Sequence, residues 1–282
     1  MINGLIENGK VEYSLHETLL RVEDVSVKFG DNLVLRDVNL EIKNIHRPGL
    51  TQGQVVGLLG PSGVGKTSMF RVLAGLDKPD SGRVLLTENQ TPVERGMVGV
   101  VAQNYPLFAH RTVMGNLLVA GRQSGLSGNA LKEKANSLLS RFGLEDNARK
   151  YPAQLSGGQR QRVAIAQQFM CSEGFLLMDE PFSGLDLVAQ GRVSHFIQEM
   201  ASADELSTFI IVTHDISAAI EVADTLWLLG RDRDANGEIV PGARIQASYN
   251  LIDRGLAYHK DISTMPESLQ LRSEIREIFP RL

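Results

Sequence analysis

Hydrophobic and polar positions alternate with a period of two in "LLRVEDVSVKF", Leu19 to Phe29, and in "LVLRDVNLEI", Leu33 to Ile42. Such alternation predicts two half-buried antiparallel strands. "QVVGLL", Gln54 to Leu59, has no polar beat after its first residue and predicts a central strand buried on both faces. "SMFRVLAGL" then predicts a helix ending near Gly75, and "GRVLL" and "MVGVVAQ" predict further strands. From Thr112 to about Gln168 the period becomes helical, with "LKEKANSLLSRFGL" amphipathic. Beyond it "FLLMDE", "TFIIVTH" and "TLWLLG" are short apolar strands, separated by helical stretches such as "LVAQGRVSHFIQEMA". Strands alternating with helices imply an α/β fold with a mostly parallel sheet covered on both faces. An antiparallel β subdomain precedes it and an α-helical insert interrupts it.

The first chemistry sits where the buried strand meets the first helix. "GPSGVGKT" (Gly60, Pro61, Ser62, Gly63, Val64, Gly65, Lys66, Thr67) has the spacing of a phosphate-binding P-loop, and Ser68 follows it. The glycines let the backbone curl so that successive N–H groups face a polyphosphate. Lys66 reaches the outer phosphates, and the Thr67 hydroxyl can ligate Mg²⁺. "FLLMDE" ends in two acids: Asp179 is placed to hold Mg²⁺ and Glu180 to orient or deprotonate an attacking water. The spacing predicts a P-loop NTPase core, with ATP as the expected nucleotide.

A second anion-seeking turn lies in "AQLSGGQRQRVAIAQQFM", Ala153 to Met170. A glycine-rich helix start offers free N–H groups and the positive end of the helix dipole. A helix from Gly157 to about Met170 is roughly 20 Å long at 1.5 Å per residue. Its far end leads to the strand ending at Asp179, which is expected to lie beside the P-loop strand. The glycine turn therefore lies too far away to serve the same ATP. It must serve one held by another molecule, and two-fold symmetry makes that arrangement reciprocal.

Composition trims the alternatives. The 282 residues are 43% hydrophobic and 22% charged, as in ordinary globular proteins. Lys plus Arg number 29 against 33 Asp plus Glu, so the chain lacks the basic excess of a nucleic-acid binder. A single cysteine, Cys171, excludes an internal disulfide and agrees with a reducing compartment. No apolar run approaches the roughly 20 residues of a spanning helix. The first residues, "MINGLIENGKVEYSLHE", do not read as a signal peptide.

"LSGGQ" (Leu155, Ser156, Gly157, Gly158, Gln159) resembles the signature of the ATP-binding cassette (ABC) superfamily, and its companion motifs follow in the family's order from about Leu19 to Ile245. The resemblance implies two cassettes paired head to tail, each ATP held between the P-loop of one and the signature of the other. Gln103 in "VAQNYPLF" matches the glutamine that contacts Mg²⁺ and attacking water; by itself it is a polar residue ending a strand. "SGLD" (Ser183, Gly184, Leu185, Asp186) resembles the loop that crosses the dimer interface. His214 matches the switch histidine at the γ-phosphate, although a histidine at a strand end is also an ordinary turn residue. Phe29 takes the place of the aromatic that stacks on adenine, with an ordinary core role as the alternative.

The resemblance divides the chain into an N-terminal extension, 1–18, an ABC ATPase domain, 19–245, with a helical subdomain at about 104–168, and a helical tail, 246–282. "DEPFSGLD" and "YPAQLSGGQRQRVAIA" resemble importer cassettes, and the tail region is weakly similar to the nitrate, sulfonate and taurine importer group. That implies an ATPase on the cytoplasmic face of a membrane, with a second cassette, permease subunits and, through them, a substrate-binding protein as partners, and no nucleic acid. The alternative is a soluble ABC ATPase of DNA maintenance or translation. Coiled-coil heptads, zinc-type cysteine pairs and a second cassette would mark those classes, and none is in the sequence. Three departures stand out: Gln167 where many cassettes have arginine, Gly115 where glutamate is frequent, and a long connection "KNIHRPGLTQGQ" before the P-loop strand.

Overall fold

The computed structural model describes residues 6–7, 10–48, 53–86, 90–102, 105–171, 174–201, 207–257, 259 and 261–282. A small antiparallel pair, β1 (Ile6–Glu7) and β2 (Lys10–Val11), precedes the long hairpin of β3 (Ser14–Phe29) and β4 (Asn32–His46). The chain continues through β5 (Gln54–Leu59), α1 (Lys66–Leu73), β6 (Ser81–Leu86), β7 (Thr91–Pro92) and β8 (Gly99–Val101). Then come the insert helices α2 (Val113–Gln123), α3 (Gly128–Arg141) and α4 (Gly157–Phe169). The second half holds β9 (Phe175–Asp179), α5 (Leu187–Ala201), β10 (Thr208–Thr213), α6 (Ile216–Val222), β11 (Thr225–Arg233), β12 (Ile239–Asn250) and α7 (Pro266–Ile278).

Among the described residues, ten strands form one sheet in the order β7-β6-β3-β4-β12-β11-β5-β10-β9-β8. The run from β11 to β8 is parallel, and β3, β4, β6 and β7 pair antiparallel at the other end. The apolar runs of the parallel strands follow from a core on each face. Val55 and Leu59 of β5 join the core that the insert helices, α6 and α7 share, whereas Val56 and Leu58 join the core under α1 and the hairpin. Phe209 and Ile211 of β10 divide from Ile210 and Val212 in the same way. The period-two alternation of β3 and β4 reflects one buried face, with Leu20, Val22, Val25 and Val27 inward.

Three expectations need correction. The strand ending at Asp179 does not lie beside the P-loop strand, because β10 is inserted between β9 and β5. The row of strand ends is Leu59, Thr213, then Asp179 one residue short of that level. The tail is not helical from residue 246: β12 pairs antiparallel with β11 as far as Asn250, and α7 begins only at Pro266. The backbone hydrogen bonds of Gln246 to Asn250 are better met in that ladder than in a frayed helix. At the other end, β3 begins at Ser14, so 14–18 belong to the sheet rather than to an extension.

The long connection after β4 also acquires a physical role. Arg47 is 2% exposed; its Nη1 donates to the Gly53 carbonyl at 3.1 Å and its Nη2 lies 3.2 Å from Asp224 Oδ1. Asp224 Oδ2 accepts from Val55 N at 2.7 Å, and the Asp224 carbonyl accepts from Leu251 N at 2.8 Å. One buried ion pair thereby joins the start of β5, the start of β11 and the tail. A buried charge needs such partners, since an unpaired one costs far more than its packing returns.

Candidate nucleotide site

The site lies at the carboxyl ends of β5, β10 and β9, the place where open α/β sheets hold ligands. Gly60 leaves β5 and the loop curls through Gly63 (φ +78°) and Gly65 (φ +116°), values that favour glycine, into α1. A Cβ on Gly60 would meet the Leu229 carbonyl at 2.8 Å, and one on Gly65 would crowd Val34 and Leu35 of β4 at 3.1 Å. Lys66 opens α1, and its Nζ donates to the carbonyls of Gly60 at 2.8 Å and Pro61 at 3.1 Å. Burial pulls the Lys66 pKa below the usual lysine range, and the charges of Glu180 and Asp179 offset part of that. Pro61 and Ser68 are partly exposed, Ser62 and Thr67 exposed, and Val64 packs in the core.

Burial pushes the Asp179 carboxyl up, Glu180 pushes it further, and Lys66 offsets them. A half-buried acid held in this way gains from a cation. Oxygen donors from Asp179 and Thr67 suit a hard ion, and among the described residues no cluster of three His, Cys, Asp or Glu could hold a metal alone. The donor set therefore fits Mg²⁺ bound largely through phosphate and water oxygens.

Glu180 follows with a left-handed backbone, φ +46°, unusual for a residue with a side chain. Its carboxylate is held on both oxygens: Thr213 Oγ1 donates to Oε2 at 2.9 Å, and His214 Nδ1 lies 2.7 Å from Oε1. Thr213, fully buried at the end of β10, also accepts from Asp215 N at 3.1 Å, and Asp215 caps α6 through Ala218 N at 3.0 Å. His214 is therefore paired rather than a bare turn residue. Nothing in the sequence marked Thr213 beyond its place before that histidine.

Phe29 ends β3 with 60% of its surface exposed, which removes the core alternative. It stands beside Gly30 at the tip of the hairpin whose Val34 and Leu35 touch the P-loop. Gln103 lies outside the described residues. Tyr105, two positions on, has φ +45° and its hydroxyl donates to the Pro181 carbonyl at 3.2 Å. Burial pushes its pKa up to about 12. The segment after Gln103 is thus tied to the loop after Glu180, a junction that sequence reading missed.

The signature turn has its own set of contacts. Leu155 is buried, Ser156 caps α4 by accepting from Gln159 N at 3.3 Å, and Gln159 Oε1 accepts from Ser156 N at 2.9 Å, a reciprocal capping box. Ser156, Gly157 and Gly158 are exposed. A Cβ on Gly158 would meet nothing within 4 Å, and one on Gly157 only an Arg160 nitrogen at 4.0 Å. Of the loop after Glu180, Ser183, Gly184 (φ +73°) and Asp186 are exposed and Leu185 is half-buried. Asp186 Oδ1 accepts from Ala189 N at 2.8 Å at the start of α5, where Leu187 and Val188 are 86% and 65% exposed.

A match to the family described as "ABC transporter" covers residues 44–183. The chain is 41% identical over 222 residues to a probable sulfate/thiosulfate import ATP-binding protein, CysA, of Chlorella vulgaris, covering 78% of this chain and 88% of that one. This chain belongs to the ABC transporter family. It is 40% identical to the spermidine/putrescine import ATP-binding protein PotA of Thermotoga maritima, over 78% of this chain and 56% of that one. It spans 59% of the length of the Mesostigma viride CysA. Among solved structures, CbiO1 of Clostridium perfringens, part of the ABC transporter complex CbiONQ, superposes with a TM-score of 0.70 at 25% identity, covering 95% of this chain and 96% of that one. As an ABC cassette the chain is an ATP-binding ATPase subunit of a transporter that pairs with transmembrane components. Among its described residues no helix is long and apolar enough to cross a membrane.

Proposed function

We propose that the chain hydrolyses ATP to drive import, working as one of two cassettes that close head to tail at the cytoplasmic face of a membrane. The reading is carried by the Glu180 carboxylate, gripped by Thr213 and His214 at the strand ends that Lys66 and Asp179 share. The loop N–H groups between Gly60 and Ser68 cradle the phosphates, Lys66 leaves its carbonyl partners for them, and Phe29 takes the base. Thr67 and Asp179, with Gln103, would hold Mg²⁺, which would supply positive charge to offset that of the phosphates. Glu180 orients or deprotonates the water, and His214 hands the state of the γ-phosphate to Glu180.

Gly157 and Gly158 support the paired arrangement. Each costs an α-helix up to about 1 kcal/mol relative to alanine. Nothing in the chain's own packing requires either. Close approach of a second molecule's nucleotide to Ser156, Gly157, Gly158 and Gln159 gives them a reason, with Ser183 to Asp186 crossing the same interface. Across the sheet, β8 is three strand spacings from β5, roughly 14 Å, and α4 adds roughly 20 Å of its own length. In this reading the ATPase domain runs over the whole sheet, from Ser14 to Asn250, with the helical subdomain at about 104–168, and the second cassette is an identical copy.

Cargo choice is left to the permease subunits and any substrate-binding protein. Relatives named for an anion and for polycations share 41% and 40% identity with the chain, so its sequence does not track cargo charge. The deciding experiment is sedimentation of Glu180→Gln with saturating ATP and Mg²⁺: a stable dimer is expected. A variant that binds ATP yet stays monomeric would sink the paired mechanism.

A further inference from the structure

We infer that Arg231 is a positioning residue of the P-loop, holding its outer peptide through the Gly63 carbonyl; the inference rests on the ATP-binding reading of residues 60–68. Arg231 lies on β11, the strand beside β5, and its Nη2 donates to the Gly63 carbonyl at 3.1 Å. Its neighbours make a different use of their charge: Arg36 and Arg244 both pair with Asp232. Arg231 makes no ion pair among the described residues.

The geometry gives that bond a consequence. A trans peptide is planar, so its carbonyl and its N–H point in opposite directions. Turning the Gly63 carbonyl to Arg231 turns the Val64 N–H the opposite way, where among the described residues its backbone acceptor is the Pro61 carbonyl at a long 3.4 Å. Gly63 itself has φ +78° and no atom within 4 Å of where a Cβ would stand, so on that side the peptide has no packing of its own, while Val64 anchors the other side in the core. A charge-assisted bond to a cation is stronger than a neutral one and polarises the peptide toward its N–H.

Arg231 is in turn fixed from behind. Its backbone N–H donates to the Leu282 carbonyl at 2.8 Å. The Leu282 side chain lies over Gly230, where a Cβ would meet it at 2.6 Å. The end of the tail thus sets the place of the residue that braces the P-loop.

The test compares Arg231→Ala, Arg231→Lys and Lys66→Ala in the full chain by ATP titration, steady-state hydrolysis and thermal unfolding. Arg231→Ala is expected to raise the ATP KM and the ATP dissociation constant about 3- to 10-fold, with kcat within two-fold and an unchanged midpoint without nucleotide. Arg231→Lys should recover at least half of that loss on a logarithmic scale. Unchanged ATP affinity in Arg231→Ala, or a loss that follows a lowered midpoint and is not rescued by lysine, would overturn the inference. Lys66→Ala separates the two levels: its own retention of ATP binding would refute the site reading, whereas its loss with Arg231→Ala unaffected refutes only the role of Arg231. As a second route, Gly230→Ala must displace Leu282, and it is expected to weaken ATP binding in the same direction; no change would count against the brace.

Discussion

Thr213 Oγ1 donates to Glu180 Oε2 at 2.9 Å from a strand that separates the P-loop strand from the strand of the acid. The interposed strand is what lets one residue hold the carboxylate while its neighbour, His214, takes the other oxygen. Thr213→Val keeps the shape and removes the donor. It is expected to lower kcat about 10-fold, in keeping with about 1.5 kcal/mol for a hydrogen bond to a charged group. Thr213→Ser should retain most of the rate. Phosphate release measured beside ATP titration checks this, and equal rates for the valine and wild-type chains would deny the hydroxyl a part in catalysis.

Glu180→Gln, in contrast, keeps both contacts available but cannot accept a proton. Hydrolysis should fall by about 10²–10⁴, the usual worth of a general base. ATP binding should be retained, as fluorescence titration with a nucleotide analogue would show.

Gly158→Ala separates stability from activity. The site of the added methyl is open, so the helix should gain up to about 1 kcal/mol. Hydrolysis is nevertheless expected to fall at least 10-fold, because the methyl would stand between α4 and a partner's nucleotide. Chemical denaturation gives the first quantity and turnover the second. Full turnover would leave the glycine without a role in the closed pair.

The period-two alternation of Leu19–Phe29 and the unbroken apolar run of Gln54–Leu59 announced which strands have one wet face and which have none, because burial on one or two faces writes itself directly into the chain. The P-loop and the acids of "FLLMDE" were equally legible, their spacing being set by a turn and a strand end. Strand order was not: nothing local in "TFIIVTH" says that β10 enters between β5 and β9. Residues 246–250 carry an alternation too short to choose between helix and strand, and their pairing with β11 decided it. Arg47, Tyr105 and Arg231 escaped notice because each acts through a residue far away in the chain, at Asp224, Pro181 and Gly63.

Asp179 gives a pH dependence with a definite sign. Its pKa is raised in the folded chain by burial and by Glu180, so folding favours its protonated form. That contribution is fully present below the ordinary aspartate pKa of 3.8 and is lost as pH rises through the raised value. At neutral pH the ionised carboxylate therefore costs stability in the nucleotide-free chain. Asp179→Asn should raise the unfolding midpoint without nucleotide and reduce the extra stabilisation that Mg²⁺ adds to ATP. Thermal scans at neutral pH and near pH 4 check both parts; the gain should shrink at the lower pH.

Arg47 and Asp224 make the sharpest stability test, since both side chains are almost wholly buried, at 1% and 2% exposure. Removing one member of such a pair leaves the other charged and dry, which typically costs about 3–5 kcal/mol. Arg47→Met fills similar space without charge and should therefore destabilise the chain by about that much, a large part of the 5–15 kcal/mol that usually separates folded from unfolded domains. Asp224→Asn takes the carboxylate charge from beside Arg47, although an asparagine oxygen can still accept from Val55 N. The double variant removes both charges, so its loss should be clearly smaller than the sum of the two single losses. Urea unfolding of the four chains closes the cycle. Strict additivity would mean that Arg47 and Asp224 do not act as a pair, and the long connection before β5 would then lack its structural purpose.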